Sequence, residues 1–264
     1  AKSNFILQKL RSIKDTDEIS QIKNAIEITE KGFRRVLPFI KPGVWEFEIE
    51  AEFAHEFIKN RADGFAYTPI IASGKNCNVL HYVDNNKQCQ PGELILMDVG
   101  AAYGNYASDM TRTVPVSGKY TPRQRAVYEA VLRVEKAAMQ FLVPGILIKE
   151  YHQEVGQIMT DELIRLRLLD KTMIKNQDPE KPAYKKYFMH GTSHHLGLDT
   201  HDYGLVDQPL QANMVLTVEP GIYIPEEEFG IRIEDDVVIQ QSGPPLNLME
   251  HIPKAADEIE DLMH

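Results

Sequence analysis

Two stretches of the chain, QPGELILMDVG at Gln90–Gly100 and QANMVLTVEPG at Gln211–Gly221, follow one plan. Each begins with Gln, sets an acid eight positions on (Asp98 or Glu219) within an apolar run, and closes with Gly two positions later. Each is followed by a second strand-like segment with another acid, NYASDMTRTVPV with Asp109 and GIRIEDDVVI with Glu234. The spacings from acid to acid are 11 and 15 residues, so the two copies differ in their turns.

The helical segments upstream of each stretch repeat as well. Asp15 and Glu18 form a capping box ahead of an apolar face through Ile19, Ile22, Ile26, Phe33 and Leu37. Pro42 and Gly43 break that helix before a second amphipathic stretch from Trp45 to Lys59. In the other copy, Thr121, Pro122 and Gln124 supply the cap, the first-turn proline and the box partner for a face of Val127, Val131, Val134, Ala138 and Phe141. Pro144 and Gly145 then break the chain, and a second helix is predicted from Lys149 to Leu168. Such a duplication predicts an α+β fold of two pseudo-symmetric halves, roughly 15–120 and 121–250, with helices covering a curved antiparallel sheet. No Pro, Gly or Ser-rich linker separates the halves, so 1–264 reads as a single domain.

Why should four acids sit in strands? If Tyr103 and Gly104 form a two-residue hairpin loop, Asp98 and Asp109 become direct cross-strand partners. Their β-carbons would then lie roughly 4.5–5.5 Å apart, where like charges repel unless something positive sits between them. Glu219 and Glu234 pose the same problem around PEEEFG, where Gly221, Pro225 and Gly230 leave the register open. One strand carboxylate ordinarily faces solvent. Four in apolar settings (LILMDVG, YASDMT, LTVEPG, IRIEDD) point instead to a shared metal site, because an unpaired carboxylate is costly there. The segment HGTSHHLGLDTHD adds His190, His194, His195 and His201 within 12 residues, a source of nitrogen donors. His55, His152, His251 and His264 receive no role.

Composition narrows the function classes. At 264 residues, with 43% hydrophobic and 26% charged, the chain has the make-up of a globular protein. Its formal net charge of −10 and lack of a basic stripe exclude a sequence-independent grip on nucleic acid. No apolar run approaches the roughly 18–20 residues that span a bilayer, and the first residues lack a signal-peptide pattern, so no membrane association and a cytoplasmic location are expected. Cys77 and Cys89 read as ordinary thiols.

With DVG and its second Asp, HGTSH-x-LGLD-x-HD, TVEPG and GIRIEDD in this order over nearly the whole chain, the sequence resembles the metal-dependent creatinase, aminopeptidase P and methionine aminopeptidase superfamily (M24-type peptidases). HGTSHHLGLDTHD looks most like the bacterial Xaa-Pro aminopeptidases, with prolidases close behind and methionine aminopeptidases fitting less well. The resemblance implies the pita-bread fold and two divalent metal ions, Mn2+ first, with Co2+ or Zn2+ able to substitute. It makes Asp98 a ligand of the first metal, Asp109 and Glu234 bridges, and His194 and Glu219 the rest of the second site. It further implies hydrolysis by a metal-bridging hydroxide, releasing the residue before a penultimate proline. His81, His190, His201 and Glu219 would form the catalytic set. His81, His190 and His201, with Tyr223 and Arg232, would also touch substrate, His190 bordering the proline pocket. His195 competes with His194 for the ligand role, and since strand neighbours face opposite ways, His194 is the expected ligand. The resemblance also implies an upstream domain, absent here because the chain opens where the catalytic domain would start, and a possible homo-oligomer. The rival readings are a prolidase, a methionine aminopeptidase and a non-catalytic peptide- or protein-binding module.

Overall fold

The computed structural model describes residues 2–204 and 207–264. Its first half runs α1 (Lys2–Ser12), α2 (Thr16–Val36), α3 (Glu46–Lys59), β1 (Gly64–Phe65), β2 (Ile70–Ser73), β3 (Leu94–Asp98), β4 (Ala101–Tyr103), β5 (Tyr106–Ala107) and β6 (Thr111–Pro115). The second half runs α4 (Pro122–Phe141), α5 (Ile148–Arg165), α6 (Lys171–Lys175), β7 (Val215–Val218), β8 (Gly221–Ile224), β9 (Phe229–Arg232), β10 (Asp235–Val238), β11 (Leu246–Asn247) and α7 (Ala256–Leu262). Every strand pairing described is antiparallel, in keeping with the expected α+β class. No described helix is long and apolar enough to cross a membrane. The short helices α1 and α6 were not foreseen.

The caps form as their residues dictate. The Asp15 carboxylate accepts from the backbone N–H of Asp17 and Glu18, while Glu18 reaches back to the Asp15 N–H. Thr121 and Gln124 exchange the same pair of bonds at α4, with Pro122 in the first turn. α2 packs its face of Ile22, Ile26 and Phe33 against α3 so closely that a β-carbon at Gly32 would fall 2.6 Å from the Phe53 ring. α5 stops at Arg165 rather than Leu168. Arg167 takes a left-handed φ of 60°, and the Arg167 and Leu168 N–H groups fold back onto the Ile164 and Leu163 carbonyls.

Both Pro-Gly corners do the same job. Gly43 (φ 93°) donates to the Cys89 carbonyl and Cys89 donates back to Val44; Gly145 (φ 95°) donates to Leu210 and Leu210 back to Ile146. Each corner thus docks against the residue just ahead of Gln90 or Gln211, aligning the helix pairs with the strands that carry the acids.

The first hairpin corrects the expected register. Its loop is Gly104–Asn105, with Tyr103 opposite Tyr106, and both loop residues hold positive φ (57° and 66°), the type I′ geometry that suits Gly and Asn better than Tyr. Asp98 therefore pairs with Thr111 rather than Asp109. The slip is two residues, so Asp98 and Asp109 keep a common face and meet diagonally. The ladder bends at Gly100, where a β-carbon would overlap the Ser108 carbonyl at 1.8 Å. In the second hairpin one register runs from β7 and β10 into β8 and β9, setting Glu219 opposite Glu234. The hairpins join where the Glu234 N–H donates to the Thr111 carbonyl at 3.1 Å. A hydrophobic core of buried residues from both halves runs beneath them.

Candidate metal centre

The join between the hairpins is the floor of a cavity of about 590 Å³ lined by Asp98, Asp109, His194, Glu219, Glu234, His81, His190, His201, Arg232 and Tyr67, with Thr68, Ile70, Leu80 and Val83 on its walls. Among the described residues, ligand atoms of Asp109, His194 and Glu234 all lie within 4.8 Å of one another. Asp98 and Glu219 flank that trio. The Asp98 carboxylate accepts from Arg232 Nη2 at 2.5 Å and from the Tyr67 hydroxyl at 2.6 Å, and Tyr67 also lies 2.5 Å from Asp109 Oδ1. Glu219 Oε1 lies 3.7 Å from His194 Nε2, and Asp109 Oδ2 lies 3.4 Å from it.

β7 aims the histidine. Thr217 donates its N–H to the His194 carbonyl, its hydroxyl accepts from the His194 N–H, and Glu219 donates to Thr192. The His194 Nδ1–H donates to the His195 carbonyl at 3.0 Å, which turns Nε2 toward Asp109 and Glu219. His195 faces away, against Gly204, and lines none of the cavity.

Four carboxylates in one dry recess leave an electrostatic signature. Burial and the charges of Asp109, Glu219 and Asp98 push the Glu234 carboxyl well above the usual range. Burial lifts Glu219 to about 7, against the pull of His194 and Arg232. Burial also raises Asp98, partly offset by Arg232. Desolvation opposes the charged form of His194, but its hydrogen bond to Asp109 and the charges of Asp109 and Glu219 override it and lift the ring to about 9. The recess thus crowds four carboxyl groups against Arg232 and His194, and its donors are oxygen with one imidazole. Such a set fits hard or borderline divalent cations.

His190 is built differently. Burial drives its pKa down to about 3, so it is neutral. Its Nδ1–H donates to the Gly191 carbonyl at 2.7 Å, and Nε2 accepts at 2.8 Å from Tyr223, whose oxygen in turn accepts from Arg232. Both nitrogens are satisfied within the protein, which suits a wall better than a proton donor. His81 and His201 are exposed at the mouth. Sequence reading missed Tyr67, Thr111, whose hydroxyl donates to Glu234 at 2.6 Å, and Asp236, which accepts from the Asp109 N–H. It also gave no role to His152, whose Nδ1 accepts from the Thr192 N–H under the histidine segment. Asp236, next to GIRIED, was the one visible as an acid in an apolar strand.

Residues 20–241 match the model of metallopeptidase family M24. The chain is 39% identical to the Xaa-Pro aminopeptidase of Haemophilus influenzae, covering 98% of this chain and 62% of that protein. It is 37% identical to human Xaa-Pro aminopeptidase 3, covering 97% and 52%. Proline aminopeptidase P II from Yersinia pestis superposes with a TM-score of 0.91 at 39% identity, over 98% of this chain and 62% of that one. Zn-substituted Escherichia coli aminopeptidase P in complex with product gives 0.91 at 38%, over 98% and 61%. The chain therefore spans about three fifths of the bacterial relatives it matches.

Proposed function

The chain belongs to metallopeptidase family M24 and has its pita-bread fold, and from that premise we propose a dinuclear metal-dependent Xaa-Pro aminopeptidase that releases the N-terminal residue ahead of a penultimate proline. The observation that carries the reading is the cluster of Asp109, His194 and Glu234 donors with Asp98 and Glu219 around the same cavity. In this reading Asp98 would hold the first cation, Asp109 and Glu234 would be shared between the two, and His194 and Glu219 would complete the second site. Four carboxylates against two divalent cations make a neutral cluster. Mn2+ is the first choice, with Co2+ or Zn2+ as substitutes, a divalent site being in line with the Zn-substituted relative.

The cations when bound supply Lewis acidity, lowering the pKa of water and polarising the scissile carbonyl. The chain's own residues do the rest. Glu219 takes and returns the proton as general base. His81 and His201 at the mouth grip the substrate and donate toward the oxygen that gains charge. His190, fixed by Tyr223 and Arg232, walls the proline pocket. The cytoplasm is the setting this reading assumes.

Two experiments test it. Mn2+-loaded protein is offered an Xaa-Pro dipeptide, an Xaa-Pro tripeptide and a Met-Ala tripeptide, and cleavage of the Xaa-Pro tripeptide is the expected result. Cleavage of the dipeptide alone would replace the reading with a prolidase, and of Met-Ala alone with a methionine aminopeptidase; cleavage of none, with metal bound, would leave a binding module. Metal analysis of two variants separates the histidines: His194→Ala is expected to hold one equivalent, while His195→Ala holds two. The reverse pattern would move the ligand to His195.

A further inference from the structure

We propose that Arg11 and Lys14 are positioning residues for the substrate side of the cavity, holding His201 and its neighbours in place through Asp202. This rests on the reading of His201 as a group that meets substrate. Asp199, Thr200 and His201 line the cavity, yet Gly197–Gly204 contains no helix or strand to hold them there. The Asp202 N–H donates to the His195 carbonyl at 2.9 Å, and the charged ties lie behind. Asp202, next to His201, turns its carboxylate inward, 1% exposed, and meets two cations from the corner between α1 and α2.

Lys14 Nζ lies 3.2 Å from Asp202 Oδ2, and its side chain is also 1% exposed. Arg11 Nη2 lies 2.5 Å from Asp202 Oδ1 and 2.7 Å from Asp199 Oδ2. With both oxygens engaged, the Asp202 carboxylate cannot turn without breaking a charge-assisted contact. A buried Lys is scarcely ever left unpaired, so this pair is a commitment of the fold.

The corner is itself anchored. The Lys14 N–H donates to the Asn213 carbonyl at 2.9 Å, Ile13 bridges to Met214 ahead of β7, and Asp15 caps α2. The loop closes tightly over the pair: a β-carbon at Gly197 would fall 2.2 Å from Asp202 Oδ2 and 2.8 Å from Lys14 Cε. On the cavity side, the His201 ring packs edge-on against His194 with centroids 4.4 Å apart. A shift of Asp202 therefore moves the ring that faces substrate. Misplacement by about 1 Å can cost on the order of 100-fold in rate.

The test uses Arg11→Gln, Arg11→Lys and Lys14→Met. In the metal-free variants Arg11→Gln and Lys14→Met, amide hydrogen exchange across 199–203 is expected to rise by at least about 10-fold with the rest of the chain unchanged. After loading with Mn2+ to the parent's stoichiometry, KM for an Xaa-Pro tripeptide is expected to rise, or kcat to fall, by roughly 10–100-fold, with Arg11→Lys recovering most of the loss. Should Lys14→Met not fold, Arg11→Gln decides, since its side chain is 22% exposed and its loss leaves Lys14 in place. Exchange that rises only in step with global unfolding would overturn the proposal. So would local exchange with parental KM and kcat, because the tie would then be structural alone. If the parent cleaves no peptide, the peptidase reading fails, and the exchange pattern by itself decides the clamp.

Discussion

Glu234→Gln is expected to lower kcat/KM on an Xaa-Pro tripeptide by well over 100-fold and to reduce bound metal below two equivalents, while the metal-free variant melts no lower than the metal-free parent. The size follows from position. Partners in the outer shell of a metal site cost roughly 10–100-fold when lost, and Glu234 is proposed as a bridge inside that shell. The residue is 2% exposed, and its carboxylate lies near the donor atoms of Asp109 and His194 and accepts from Thr111. Gln keeps the shape and the oxygen that Thr111 reaches, but removes the negative charge that Glu234 would bring to the cations. Burial and the neighbouring acids already oppose ionisation of Glu234 without cations, so the change costs the metal-free fold little while removing affinity for them. Metal content by atomic emission, steady-state kinetics and melting with and without Mn2+ read the three effects separately. A variant retaining two equivalents and parental kcat/KM would take Glu234 out of the site.

These acids were legible because they break a pattern. Asp98, Asp109, Glu219 and Glu234 interrupt apolar strands, and a charge there demands a partner whatever the fold. The caps at Asp15 and Thr121 were legible because their chemistry is complete within four residues. The hairpin register was less so: the choice between Tyr103–Gly104 and Gly104–Asn105 turns on which residues accept positive φ, and an error of two residues leaves every side chain on its correct face. Tyr67 and Asp202 could not be found at all. Each is one polar residue in irregular chain, and their partners lie 31 or more residues away, at Asp98 and Lys14, where no periodicity links them. Local rules thus placed the candidate acidic ligands along the hairpins, while the contacts that hold them in position are long-range.

The same distinction predicts where the fold is most vulnerable. Arg112→Met is expected to destabilise the protein by about 3–5 kcal/mol in chemical denaturation, as when one partner of a buried ion pair is removed. Arg112, on β6, is fully buried, and its Nη2 donates to Asp235 Oδ1 at 2.6 Å. Burial alone would raise the Asp235 carboxyl, but Arg112 and Lys254 hold it well below the usual range, so it stays charged. Lys254 also pairs with Glu135 on α4, tying the C-terminal segment to the second half of the molecule. Met fills a similar volume and brings no charge, so the loss reads the uncompensated carboxylate more than a cavity. Lys254 remains as a partial partner, which favours the lower end of the range. Arg112 also donates to the carbonyls of Thr111 and Glu234 and of Pro253, gripping both strands at the join where the two hairpins meet. Metal affinity is therefore expected to fall along with stability, although no ligand has been touched. Denaturation with and without Mn2+ separates the two effects: a variant as stable as the parent would show that Lys254 alone compensates Asp235, and one that is destabilised but binds metal normally would show that the join does not depend on the Arg112 grip.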